Sequence, residues 1–95
     1  LLDRYGGPEV LYVGTLARPV PGPGEVLVRV EHVGLNRGET KRRAGELAWL
    51  SSAKAPHVLG SEFAGEIVEV GAGVRDRAVG ECVLGMRPVL EGGAY

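Results

Sequence analysis

Apolar and polar positions alternate most cleanly over residues 25–33, where Val26, Val28 and Val30 fall on one side of an extended chain and Leu27, Arg29 and Glu31 on the other. A period of two marks a strand with one face buried. A second strand is predicted over residues 61–70, closed by Gly71-Ala72-Gly73, and Gly60 and Gly65 suggest a bend or a close backbone approach. A third is predicted over 78–86, where Val79, Val83 and Leu84 are apolar. Residues 10–16, opening on Val10-Leu11-Tyr12-Val13, read as an earlier strand because they are rich in β-formers. Residues 18–24 hold three prolines, which remove three backbone donors and make a rigid connection within one domain. The one helical stretch runs from Asn36 to Gly45: Asn36 can cap it, Glu39 stands at the reciprocal capping-box position, and Gly45 suits its end. Residues 46–56 read as irregular, with Trp49 and Leu50 covering apolar surface. The pattern predicts a mainly β (α+β) domain with one short helix, a barrel or a sandwich.

Composition narrows the setting. Ninety-five residues make one domain, too short to hold a catalytic and a nucleotide-binding domain together. Sixteen glycines and six prolines fit many turns and short strands. A net charge of −1 gives no electrostatic case for nucleic acid or an anionic membrane. One cysteine excludes an intrachain disulfide framework and fits a reducing cytoplasm. No run of ~20 apolar residues is present, and no basic-then-apolar opening suggests a signal peptide. The chain starts at Leu1 rather than Met, as expected of a trimmed or excised start.

The chemical candidates are few. Cys82, His32 and His57 are widely separated, without the spacing of a zinc site, which needs three or four converging ligands. Cys82, inside a predicted strand, reads as a small core residue rather than a nucleophile, and both histidines read as structural or surface groups. Gly22-Pro23-Gly24 and Gly71-Ala72-Gly73 are fragments of a GxGxxG pattern, but neither opens a helix, so no dinucleotide-binding fold is expected. Lys41-Arg42-Arg43 could attract a phosphate; a solvated helix face is the default. Glu66 reads as a surface carboxylate, and Glu62 invites the same caution.

Five segments in order resemble one family. Tyr5-Gly6-Gly7-Pro8-Glu9-Val10-Leu11 resembles the opening of the quinone oxidoreductases of the medium-chain dehydrogenase/reductase superfamily. The segment 21–30, PGPGEVLVRV, resembles the next strand and its lead-in. Gly34-Leu35-Asn36 with Glu39 resembles a GxNxxD element, Gly60-Ser61-Glu62-Phe63-Ala64-Gly65 the next signature, and Val79-Gly80-Glu81-Cys82-Val83 a VGDRV-like strand entry. The zinc-dependent branch usually carries cysteine where Asn36 stands and histidine where Ser61 stands, so the resemblance is to the zinc-free branch. Departures are Glu39 for the usual aspartate, Glu81-Cys82 for an Asp-Arg ion pair, and Leu47, with Trp49 two positions on, where relatives carry a tyrosine.

That resemblance implies a GroES-like fold, a distorted, partly open β-barrel with one short helix, of which residues 1–95 are a partial substrate-side domain without the Rossmann domain. It implies hydride transfer from NADPH to a quinone or conjugated carbonyl, with no metal. Asn36 would lie near the nicotinamide with Thr40 beside it, while Leu47, Trp49 and Ser61 would line the substrate cleft. No general acid is named. Missing later strands would leave open strand edges. Two readings follow: an enzyme segment inactive by itself, or a stand-alone module that self-associates or takes a partner by strand addition, which light scattering would distinguish.

Overall fold

The computed structural model describes residues 1–50, 54–88 and 91–95. Three strands, β1 (Val26–Val33), β2 (Glu62–Val70) and β3 (Cys82–Met86), form one antiparallel sheet in the order β1-β2-β3. The helix α1 (Arg37–Ala44) lies between β1 and β2, and two 3-10 turns cover Pro8–Val10 and Ala48–Leu50. The architecture is mainly β with one α-helix, as the pattern predicts, and the sheet does not close into a barrel.

Register explains the two faces of the sheet. Glu62 pairs with Met86, Ala64 with Leu84 and Glu66 with Cys82, so these side chains share the outward face. Phe63 pairs with Gly85 and Gly65 with Val83 on the inner face, where Ile67 is fully buried. Two register shifts in β1, between Leu27 and Val28 and between Val30 and His32, break its strict alternation. The Pro-rich lead-in is tied to the end of β2: the Gly24 amide donates to the Ala72 carbonyl and the Gly71 amide to the Glu25 carbonyl, each at 2.8 Å. The small buried core lies elsewhere, where Leu2, Val10 and Leu59 cluster. Leu2 and His57 exchange backbone hydrogen bonds, and the Tyr5 ring stacks on His57 at 5.5 Å.

Several expectations are corrected. Residues 11–16 form no strand; they run exposed after the Pro8–Val10 turn, where Tyr12 exchanges backbone bonds with Leu1 but no ladder extends from that pair among the described residues, so β propensity finds no partner strand. The third strand begins at Cys82 rather than at residue 78, because 78–81 is a turn: the Glu81 amide donates to the Ala78 carbonyl, and the Glu81 carboxylate accepts the Ala78 amide. Glu81 also pairs with Arg77 at 3.3 Å, so the ion pair thought lost at this position has another partner. Cys82 is exposed, not a core residue, since its register opposite Glu66 turns it outward. Trp49 is 81% exposed rather than covering apolar surface, because the three-residue turn directs it away from the chain. Residues 51–53 of the expected irregular stretch lie outside the described residues.

The radius of gyration is 14.3 Å, against about 12 Å for a compact chain of this length. Among the described residues, β1 and β3 each pair on one side only.

Candidate functional site

Helix α1 is charged, yet one side of it is buried. Glu39 and Arg42, three positions apart and so on one face, are 5% and 4% exposed. A buried charge is costly unless bonded, and both are bonded. The Glu39 carboxylate accepts the Ser61 hydroxyl through Oε1 and the Gly60 amide through Oε2, each at 3.0 Å. The Arg42 guanidinium donates to the carbonyls of Glu91 at 2.9 Å and Val58 at 3.4 Å. The basic run is therefore not a uniformly solvated face. Arg42 is internal, and Arg43 reaches the Gly6 carbonyl at 3.3 Å.

These bonds gather three segments at one corner: the start of α1, the lead-in 58–61 and the tail 91–95. The tail is laid along 58–60 by backbone bonds, among them Gly93 to Val58, Ala94 to Gly60 and Tyr95 to Leu59, each 3.1 Å. Gly60 turns there with φ of 92°, and any Cβ at that position would run into the Tyr95 ring. The Tyr95 hydroxyl donates to the Gly34 carbonyl at 3.2 Å, two residues before Asn36. Partial burial, then the nearby carboxylates of Glu39 and Glu62, push the Tyr95 phenol above its ordinary pKa.

Asn36 occupies the N-cap position with extended backbone, but its side chain makes no cap hydrogen bond. Glu39 does not complete a capping box either, since its carboxylate is spent on Gly60 and Ser61. The helix ends as expected at Gly45, whose φ of 86° a side chain would resist. Asn36 is exposed at the rim of the corner, and its carboxamide, without a hydrogen-bond partner among the described residues, can both donate and accept there. Its carbonyl accepts the Glu39 amide at 3.0 Å, so Asn36, Glu39 and Ser61 form one bonded chain. Ser61 is buried, with its only hydroxyl proton directed to Glu39. Thr40 is exposed and bonds the Arg37 carbonyl at 2.8 Å. Leu47 is half-buried.

Sequence reasoning missed Arg42 and Tyr95 and read Glu39 only as a cap and a departure. The signal available was the three-residue spacing of Glu39 and Arg42. Apolar periodicity does not register a buried face made of charges. His57, His32 and Cys82 are not brought together: His57 packs on Tyr5, Cys82 faces out from β3, and His32 lines a groove. Among the described residues, no three His, Cys, Asp or Glu side chains gather where they could hold a metal ion. That groove, about 490 Å³, lies on the outward face of the sheet, with Ala64, Leu84 and Met86 among its walls and Gly34 and Glu62 at one end.

Residues 22–94 match the alcohol dehydrogenase GroES-like domain. The chain belongs to that family. A 2-haloacrylate reductase from a Burkholderia species is 38% identical over 95 residues, covering all of this chain and 28% of that protein. A quinone oxidoreductase of Pseudomonas aeruginosa is 43% identical over 79 residues, 83% of this chain and 23% of that one. The crystal structure of the Escherichia coli quinone oxidoreductase complexed with NADPH superposes with a TM-score of 0.80 at 29% identity, covering 93% of this chain and 26% of that chain. The GroES-like chain therefore spans about a quarter of the length of these relatives, and it matches quinone oxidoreductases of the medium-chain superfamily. Among its described residues no helix is long and apolar enough to cross a membrane.

Proposed function

We propose that this GroES-like chain is the substrate-side part of an NADPH-dependent oxidoreductase acting on a quinone or conjugated carbonyl, and is inactive without a nucleotide-binding domain. The observation that carries the reading is the Asn36 carboxamide, exposed and without a hydrogen-bond partner among the described residues, at a corner tied together by Glu39. NADPH, when bound, supplies the hydride. The chain's own part is to orient: Asn36 can engage the nicotinamide or its ribose, with Thr40 one turn on. Leu47, Trp49 and the segment around Ser61 form the substrate side of the cleft. A metal is not required. The Asn36 carboxamide and a Ser61 hydroxyl already bonded to Glu39 are poor zinc donors, while positioning and electrostatics suffice for hydride chemistry. The single exposed cysteine is consistent with a reducing, cytoplasmic setting.

The test uses the full reading frame that contains these residues, assayed for NADPH oxidation by 1,4-naphthoquinone and by an enone. Turnover is expected, and Asn36→Ala should lower kcat/KM by roughly tenfold to a hundredfold, the scale of a lost positioning contact. The 95 residues alone should neither turn over nor bind NADPH. A full-length protein that reduces neither acceptor defeats the reading. The one-sided pairing of β1 and β3 supports a second reading, a module that adds a partner's strand or a second copy. A compact dimer of the isolated chain in light scattering would favour it, and a monomer would not.

A further inference from the structure

The two edges of the sheet differ in how they are guarded. β1 carries Arg29, Glu31 and His32 and has two register shifts, and charges and bulges both discourage the addition of a strand. β3 reads CVLGM, with no charge and no proline, and its pairing with β2 runs without a shift. Two bonds at its ends fix which way its backbone groups point. The Ile67 amide donates to the Glu81 carbonyl at 2.9 Å, and the Arg87 amide to the Ser61 carbonyl at 2.6 Å. The odd-numbered residues of β3 therefore bond β2, and alternation turns the amides and carbonyls of Cys82, Leu84 and Met86 to the open side. The side chains of the same three stand on the outward face, Leu84 87% and Met86 68% exposed, so a neighbour along this edge would also remove hydrocarbon from water.

Charge complementarity names the occupant and the register. Glu81 stands three positions before Leu84, and Arg87 three positions after it. A second β3 laid antiparallel, Leu84 opposite Leu84, sets Glu81 of each copy across from Arg87 of the other and Cys82 across from Met86. Any other register separates the charges. Backbone alternation is also satisfied, because the residues whose bonding groups face the open side then meet one another. Glu81 and Arg87 are both partly exposed. Their ion pairs within the chain, to Arg77 at 3.3 Å and to Glu91 at 3.6 Å, are surface ones that contribute little.

We propose that β3 pairs with β3 of a second copy of this chain, antiparallel about a two-fold axis at Leu84, so that two three-stranded sheets become one. The contact uses the same patch on both copies and closes on itself, so association stops at the dimer. A five-residue edge is small against a standard interface, and the equilibrium is weak and concentration-dependent. The assignment goes beyond the oxidoreductase reading and rests on the second one, to which it gives an edge, a partner and a register.

The test is sedimentation of the 95-residue chain over a range of concentrations, where a monomer–dimer equilibrium is expected. Leu84→Lys sets two ammonium groups face to face on the axis and should weaken the dimer about tenfold or more. Glu81→Arg and Arg87→Glu each set like charges across the junction and should each weaken self-association by about the same factor. An equimolar mixture of those two variants should pair again, and so should the chain that carries both reversals. A variant that merely misfolds would not be rescued in this way. A dimer indifferent to Leu84→Lys or to the single reversals would overturn the assignment and leave the second reading to another edge. Failure of both the mixture and the double variant to pair would overturn it as well. A chain that stays monomeric at every concentration would overturn the assignment and the second reading together.

Discussion

The α1 corner and the outward face of the sheet invert the usual rule of what lies inside. At the corner a carboxylate, a guanidinium and a hydroxyl are buried, and each is bonded to a neighbour in the same chain. On the sheet, Leu84 and Met86 stand in solvent with the Cys82 thiol in the same row. A polar interior is directional: its worth depends on every partner being present, and here all the partners lie within 34–61 and 91–95. An apolar face gains only when something covers it. The first region belongs to the fold of this chain; the second is a surface whose contribution comes on binding.

Substitutions can break that contrast. The largest effect is expected from Glu39→Ala, which strips the Gly60 amide and Ser61 hydroxyl of their acceptor and leaves both buried. Stability should fall by about 2–4 kcal/mol in urea unfolding, for two unpaired buried donors. A loss below about 1 kcal/mol would mean that water or a shifted neighbour replaces the carboxylate.

A smaller effect is expected with pH. The Tyr95 phenol is raised in the folded chain above its ordinary value of 10.0. Above that pH the unfolded chain gives up the proton first, so the unfolded state binds fewer protons and stability falls as pH rises toward the folded pKa. Tyr95→Phe should therefore close on, or overtake, the wild-type chain in thermal unfolding as pH is taken above 10.0, with the gap constant below it. A gap that does not change across this range would show that the phenol titrates normally.

The smallest effect is expected at Leu84→Ser. The side chain is already in water, so the isolated chain should unfold within about 0.5 kcal/mol of wild type. A larger loss would reveal that the outward face is packed in solution.

The sheet was legible because its strands are written in alternation and stopped by glycine: β1 and β2 lie within a residue of their predicted bounds. Residues 10–16 have β-formers but no partner strand, and pairing is a property of two segments that one segment does not announce. At the third strand, the Glu81 side chain bonds locally to Ala78 and Arg77 and delays the start to Cys82. The site was half legible. Asn36 and Ser61 were named from the family resemblance, and the structure joins their segments through Glu39. That link was hidden because a glutamate three residues after an asparagine reads as a cap. Only the return of residues 60 and 61 against the helix shows what the carboxylate serves. Arg42 was hidden for the same reason, since charge in a basic run reads as surface until a tail of carbonyls is laid over it.

One consequence of the outward turn of β3 remains. The chain has a single thiol, and Cys82 places it in the open, two positions from Leu84 along the same row. Its accessibility is thus a built-in gauge of occupancy for that side of the sheet: a maleimide that couples freely to the bare chain and slowly to an assembled one is reading the arrival of a neighbour.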